Sequence, residues 1–333
     1  MEKHLERRLL GQSGIAVSAL GLGCMGMSEF YGAHDDAQSL ATLARATELG
    51  VTFLDTADMY GLGHNEQLLS RFLPGRRDTL TIATKFGIVR ENGGYARHID
   101  NSPAYIAQAC EASLKRLGID TIDLYYAHRL DKTRPIEETV DAMAGLVRAG
   151  KVRAIGLCEV SADTLRRAHA VHPIAAVQSE WSLWSRDPET DGTLAACRAL
   201  GVSFVAYSPL GRGFLTGALN GTEGLAEGDF RRLSPRFLAE NLERNQKLVD
   251  RIRELAAAKS VTPGQLVLAW LLAQGQDVIP IPGTRRISHL EENLAAARIS
   301  LSPEDLSAIG AAVPPGAAAG QRYPDEGMKG LNA

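Results

Sequence analysis

The chain has 333 residues, 45% of them hydrophobic and 23% charged, with a formal net charge of -3. That length accommodates two ordinary domains or one large α/β barrel, since such barrels run to about 250 residues before insertions. The near-neutral charge excludes the basic field that nucleic-acid binding requires, which leaves small molecules as the expected partners.

The first ten residues contain no apolar signal core, and the longest apolar run, 266–273, is too short for a bilayer, so no membrane association and a cytoplasmic location are expected. Cys24, Cys110, Cys158 and Cys197 are scattered without a C-x-x-C pair. Each is expected to act as a small buried hydrophobe, with no disulfide framework and no metal site.

In chain order, Gly11 and Gly14 lie between two apolar pieces and predict a β-hairpin over 9–17, placed to plug one end of a larger sheet. A strand over 19–23 follows, whose Gly21, Gly23 and Gly26 match the G-x-G-x-x-G spacing of a dinucleotide-binding turn. That fingerprint requires a helix at the third glycine and an acid about 20 residues further on. Here a loop follows Gly26, and Asp55 arrives late, so the Rossmann reading fails on context.

From there helices and strands alternate. Helices are predicted over 36–49, 66–72, 103–117, 136–148, 162–169 and 193–200, and strands over 52–56, 80–85, 122–128, 152–158, 175–179 and 203–207. A helical stretch over 242–272 and a last strand over 278–282 complete the pattern. Gly50, Gly118, Gly150 and Gly201 sit where helix C-caps belong, and Ser161 offers an N-cap. Eight short apolar strands separated by helices imply a parallel sheet covered on both faces and closed into a (β/α)8 TIM barrel with an N-terminal β-hairpin cap.

No Ser-, Gly- or Pro-rich linker divides the chain, so residues 1–333 are expected to form one domain. Two segments exceed ordinary connection lengths. The loop 211–241 is a mobile lid or a solvated insertion; the tail 313–333 is disordered or folds back over the barrel mouth.

Barrel active sites lie at the C-terminal ends of the strands. The stretch Val51-Thr-Phe-Leu-Asp-Thr-Ala-Asp-Met-Tyr60 places Asp55 and Tyr60 at the second strand end; Lys85 ends the third and His128 the fourth. Taken singly, these are a helix cap, a packed ring, a surface charge and a core histidine. Together they make an acid site. A phenol near pKa ~10 is a reluctant donor, but an ammonium favours its phenolate and a carboxylate holds the ammonium in place. Lys85 is therefore expected to tune Tyr60, Asp55 to tether Lys85, and His128 to hydrogen-bond a substrate carbonyl. With no metal cluster indicated, a nicotinamide hydride is the natural electron source.

At these residues the chain resembles the aldo-keto reductase family. The resemblance is carried by Leu54-Asp-Thr-Ala-Asp-Met-Tyr-Gly61, Ala83-Thr-Lys-Phe-Gly87, Tyr125-Tyr-Ala-His-Arg129 and Gln178-Ser-Glu-Trp-Ser182. Ala206-Tyr-Ser-Pro-Leu-Gly-Arg-Gly213 and Ile279-Pro-Ile-Pro-Gly-Thr-Arg-Arg286 with Glu291-Glu-Asn293 complete the set. It implies a (β/α)8 barrel binding NADPH without a Rossmann domain, and a tetrad of Asp55, Tyr60, Lys85 and His128. By the same resemblance Gln178 bonds the nicotinamide carboxamide and Tyr207 stacks on its ring. Ser208, Leu210, Gly211 and Arg212 lie along the pyrophosphate, and Gly283, Thr284, Arg285, Arg286, Glu292 and Asn293 surround the adenosine phosphate.

Cys158-Glu159 stands where many relatives have Ser-Asn or Ser-Arg, which leaves Cys158 as a pocket-lining residue. Gly283 and His289 replace the lysine and arginine of many NADPH-preferring relatives, so that preference rests on Arg285 and Arg286, whose guanidinium groups suit a 2′-phosphate. The expected function is reduction of aldehydes or ketones with NADPH, Tyr60 being the general acid and Met25, Phe30, Trp181 and Trp184 lining an apolar substrate mouth. The alternative is an NADP(H)-binding regulatory subunit that senses redox state; a lyase or isomerase on the same barrel is a weaker third.

Overall fold

Runs such as Thr81–Phe86 and Ile122–Ala127 are buried at every position, as strands covered on both faces must be. In the computed structural model, which describes residues 5–90 and 97–332, the strands are β1 (Arg7–Leu9), β2 (Ala16–Ser18), β3 (Leu22–Gly23), β4 (Phe53–Asp55), β5 (Thr81–Phe86), β6 (Ile88–Arg90), β7 (Arg97–Ile99), β8 (Ile122–Ala127), β9 (Val152–Cys158), β10 (Ile174–Glu180), β11 (Ser203–Tyr207) and β12 (Val278–Pro280). The helices are α1 (Asp36–Glu48), α2 (His64–Phe72), α3 (Pro103–Leu117), α4 (Ile136–Arg148), α5 (Ala162–Val171), α6 (Asp187–Thr190), α7 (Thr193–Leu200), α8 (Ala239–Ala258), α9 (Pro263–Leu272), α10 (Ile287–Ala295), α11 (Pro303–Ala312) and α12 (Asp325–Met328).

Eight strands form one parallel sheet in the order β3-β4-β5-β8-β9-β10-β11-β12. The sheet curls until its edges meet: Gly23 bridges Gly283 in parallel, and the Gly21 amide donates to the Pro280 carbonyl at 3.0 Å. This contact explains the glycines that mimic a nucleotide fingerprint. A Cβ at Gly21 would lie 2.7 Å from the Phe53 ring, and one at Gly23 would lie 3.0 Å from the Ile281 carbonyl. The backbone spacing of barrel closure, not a pyrophosphate, requires them.

The hairpin β1–β2 pairs antiparallel as expected. Its Leu10, Ile15 and Val17 enter the barrel interior beside Phe53, Leu124, Tyr126, Val205 and Ile279, so it stoppers the N-terminal end. A larger core fills the space between the sheet and the surrounding helices.

The helices α6, α10, α11 and α12 were not expected from the sequence, and two predicted stretches differ in form. The predicted helix over 242–272 is two helices, α8 and α9, bent by 84°. Ser260 has a φ of 55°, Thr262 and Gln265 form a capping box, and Pro263 opens the new helix without needing an amide partner. Between the strand predicted to end at Lys85 and the helix predicted from Pro103, where only a polar loop was expected, lies the hairpin β6–β7, in which Ile88 faces Ile99 and Arg90 faces Arg97; residues 91–96 of that stretch lie outside the described residues. Among the described residues no single helix is long and apolar enough to cross a membrane.

Both long segments are anchored. In the 211–241 loop, Phe214, Leu215 and Phe237 are buried, and the Phe230 amide donates to the Phe30 carbonyl at 2.9 Å. The tail folds back over the barrel mouth, the second of the two expectations. Asn245 brackets Ala319 with two hydrogen bonds of 2.9 and 2.8 Å, and Arg236 donates to the Gly320 carbonyl.

Gly156 marks the tightest point of the interior, since a Cβ there would lie 2.4 Å from the Tyr126 ring and 2.8 Å from the Ala176 carbonyl. Gly156→Ala is expected to lower unfolding free energy by about 1–3 kcal/mol through overpacking, read as an earlier midpoint in urea.

Candidate active site

Strand β4 ends on Asp55, and the turn that follows brings Tyr60 back over the strand end, where its ring is buried beside Ala57, Met59 and Ile88. Strand β5 points Lys85 into the barrel with no exposed surface, and His128 follows β8 directly. The Lys85 ammonium lies 2.5 Å from Asp55 Oδ1, 2.7 Å from the Thr56 carbonyl and 3.4 Å from the Tyr60 hydroxyl. The His128 ring stands edge-on to Tyr60 with centroids 5.9 Å apart. All four side chains named from strand ends therefore meet.

Burial by itself would lower the Lys85 pKa, but the Asp55 carboxylate reverses this and holds the ammonium above the usual lysine range. For Tyr60 burial wins: it pushes the phenol up, Lys85 opposes, Asp55 adds, and the result is about 12. Lys85 tunes the phenol downward as expected, but the water lost around the phenolate costs more than Lys85 returns. Tyr60 is consequently a fully protonated phenol at neutral pH, with the cation that would steady its phenolate already beside it. Burial, with Lys85, Arg129 and Arg97, drives the His128 pKa well below the ordinary value, so its imidazole is neutral. Its Nδ1 is buried with no hydrogen-bond partner.

Gln178 sits opposite on β10, and its amide nitrogen donates to Asp55 Oδ2 at 2.7 Å. Its amide hydrogen thus braces the carboxylate here, a role the expectation of a carboxamide contact did not include. Tyr207 ends β11 with its hydroxyl 2.7 Å from Glu159 Oε1 and 2.9 Å from the Tyr323 hydroxyl. Ser208 and Arg212 both adopt positive φ, 48° and 58°. Leu210 lies against Gly264, and a Cβ on Gly211 would strike the Trp184 indole at 2.6 Å. At the other edge, Arg285 donates to the Gly26 and Tyr31 carbonyls, Thr284 Oγ1 accepts from the Arg286 amide, and Gly283 is held against Gly23. Arg286 is exposed at the start of α10, a helix whose N-terminus has no side-chain cap. Unsatisfied first-turn amides next to two arginines make a fitting seat for a phosphate. Asn293 is buried on α10, and Glu292 accepts from the Thr262 hydroxyl at 2.6 Å, which ties it to the cap of α9.

Met25 and Phe30 pack on the Tyr60 cluster as a substrate wall would. Trp181 and Trp184 do not join them. Trp181 is wedged between Phe204 and Trp270 behind the sheet, and Trp184 stacks on Phe214 at 5.0 Å. Tryptophan is read as a mouth residue from its size, yet the same size makes it the best filler of a helix–sheet gap. The four cysteines are buried and free, and Cys158 lies at the end of β9 with its thiol pushed up to about 12 by burial.

The structure adds a second charged layer that residue patterns did not single out. Glu180, at the end of β10, accepts from Arg212 at 3.3 Å, from Arg236 at 3.4 Å and from Ser185 at 2.6 Å. Glu159, at a left-handed φ of 55°, accepts from both ends of the Arg322 guanidinium at 3.2 and 3.3 Å and from the Glu180 amide. Arg212 lies over the Tyr323 ring at 4.5 Å and the Phe230 ring at 5.2 Å. Glu159 and Glu180 stand inside quoted motifs, which was the only available signal; their arginine partners come from the loop and tail.

The family model described as the Aldo/keto reductase family matches residues 19–314. The curated aldo-keto reductase yakc (NADP(+)) of Schizosaccharomyces pombe is 47% identical over 312 residues, 92% of each chain. The chain belongs to the aldo/keto reductase family. Among solved structures, this aldo-keto reductase is similar to a glycerol dehydrogenase from Gluconobacter oxydans, with a TM-score of 0.83 at 27% identity over 98% of this chain and 96% of that one. It is also similar to an aldo-keto reductase from Bacillus halodurans in its holo form, with a TM-score of 0.76 at 29% identity over 97% and 99%.

Burial alone would raise the Glu180 pKa, but Arg212, Arg236 and Arg322 outweigh it and hold the carboxylate below its ordinary value of 4.5. A depressed folded-state pKa means stability that is complete above the unfolded value and lost as pH falls through the folded one. Glu180→Gln strands two buried arginines, so it is expected to cost about 3–5 kcal/mol in urea denaturation at pH 7. It should also flatten the acid limb of the stability profile below about pH 5 relative to the parent.

Proposed function

We propose that this protein is a cytoplasmic enzyme that reduces an aldehyde or ketone to an alcohol with NADPH, Tyr60 supplying the proton. The reading is carried by one observation: a buried lysine ammonium lies between Asp55 and the hydroxyl of a protonated tyrosine, with a neutral imidazole at the edge of that tyrosine.

Tyr207, the 208–212 turn and the start of α10 with Arg285 and Arg286 would hold the dinucleotide along the strand ends from β11 to β12. The named NADP(+) relative supports that assignment. Bound there, NADPH supplies a hydride to the carbonyl carbon. The neutral His128 imidazole offers an N–H to the carbonyl oxygen and fixes its direction. Tyr60 donates its proton to that oxygen, and the phenolate left behind is stabilised by Lys85, which Asp55 and the Thr56 carbonyl keep in position. Gln178 holds the second oxygen of Asp55, so the carboxylate cannot turn away from Lys85. Met25 and Phe30 keep the approach to Tyr60 apolar, favouring carbonyls with hydrophobic substituents.

Tyr60→Phe removes only the hydroxyl. Turnover of NADPH against a panel of aldehydes and ketones is expected to fall by about 10²–10⁴-fold, while NADPH binding followed by fluorescence stays at the parent value; near-parent turnover would refute the acid role. Arg286→Ala is expected to weaken NADPH by about tenfold or more, the scale of one charge-assisted hydrogen bond, with little effect on NADH. Equal losses for both cofactors would show that Arg286 does not read the 2′-phosphate.

A further inference from the structure

His34, Asp36 and His64 lie outside the tetrad and the proposed cofactor seat, and they converge at one point of the surface. His34 ends the loop after β3, Asp36 is the first residue of α1, and His64 is the first residue of α2. Their potential ligand atoms all lie within 4.8 Å of one another. His64 Nε2 is 3.1 Å from Asp36 Oδ1, both side chains being about one-third exposed, and the two imidazole rings are 4.8 Å apart. We propose that these three side chains form a binding site for a divalent transition-metal ion of the zinc class, with the fourth coordination position left to solvent.

Proximity alone would describe a simple His64–Asp36 ion pair. The surroundings go further, because each fixed ligand has the outer partner that metal ligands need. His64 Nδ1 is 2.8 Å from Ser28 Oγ, and Asp36 Oδ2 accepts from Arg71 at 2.7 Å, which leaves Nε2 and Oδ1 turned toward each other and toward His34. An outer hydrogen bond of this kind fixes ring orientation and tautomer in metal-bound histidines. An ion at this point would be met by Nε2 and Oδ1, with the imidazole in the tautomer that donates Nδ1–H to Ser28 Oγ. Ser28 Oγ already accepts from Asn65 at 2.7 Å and has a second lone pair for this bond.

Two imidazoles and one carboxylate select zinc-like ions over magnesium or calcium, which prefer oxygen ligands throughout. The absence of closely spaced cysteines led the sequence to predict no metal site; these ligands come from the start of α1 and the start of α2, with a helix and a strand between them, so only the fold assembles them. The ion would staple the loop after β3 to the start of α2, four residues beyond Tyr60, and stiffen the turn that carries it.

Isothermal titration of the full chain with ZnCl2 is the test. One ion per chain is expected, with a rise in thermal midpoint. His34→Ala, an exposed change that leaves the fold untouched, and His64→Ala should each weaken binding by about tenfold or more and abolish the midpoint rise; Ser28→Ala should weaken it by about tenfold. Millimolar Mg²⁺ should not compete. Parent-like Zn²⁺ binding in both histidine variants, or displacement by Mg²⁺, would overturn the proposal. Neither variant touches the tetrad, so failure here is distinguishable from failure of the Tyr60 assignment.

Discussion

A lysine ammonium with no exposed surface has to be compensated, and the Lys85–Asp55 pair is the constraint around which the barrel mouth is arranged. Neither charge is tolerable alone in that interior, and an ion pair offsets its desolvation only when the remaining hydrogen-bond capacity is also met. The Thr56 carbonyl, the Tyr60 hydroxyl and the Gln178 amide complete the set. Strands β4, β5 and β10 must therefore keep one mutual register, and a parallel barrel closed at Gly23 and Gly283 does this with rigid elements.

The same reasoning accounts for the phenol. Burial makes Tyr60 hold its proton, and the adjacent ammonium lowers the penalty of releasing it. A more exposed tyrosine would lose that contrast, because water would screen both effects. The neutral imidazole beside it follows from the same crowding of cations, since Lys85, Arg129 and Arg97 all disfavour a further positive charge.

A second buried ionic layer lies above the first. Glu180 gathers Arg212 and Arg236 from the long loop, and Glu159 gathers Arg322 from the tail. These contacts turn the long loop and the tail into the walls of the mouth, with Tyr323 seated between Tyr207 and Arg212. Glu159 holds a left-handed backbone that glycine would adopt more readily, and its carboxylate and amide bonds are what keep it there.

Local pattern was enough to place the eight barrel strands, most of the helices, the hairpin stopper and the strand-end positions of Asp55, Tyr60, Lys85 and His128, because apolar runs, cap residues and strand-end polar groups report on immediate neighbours in the chain. It misread Trp181 and Trp184, whose bulk suits a mouth and a core equally, and it ran α8 and α9 together because their shared apolar pattern outweighed the stop signal at Thr262-Pro263. Asp55, Lys85 and their order along the chain were thus decided by the sequence alone. The direction of the Tyr60 pKa, the bracing of Asp55 by Gln178 123 residues away, and the pairing of Glu159 with Arg322 across 163 residues were decided only by the tertiary structure, since burial and long-range charge have no local signature.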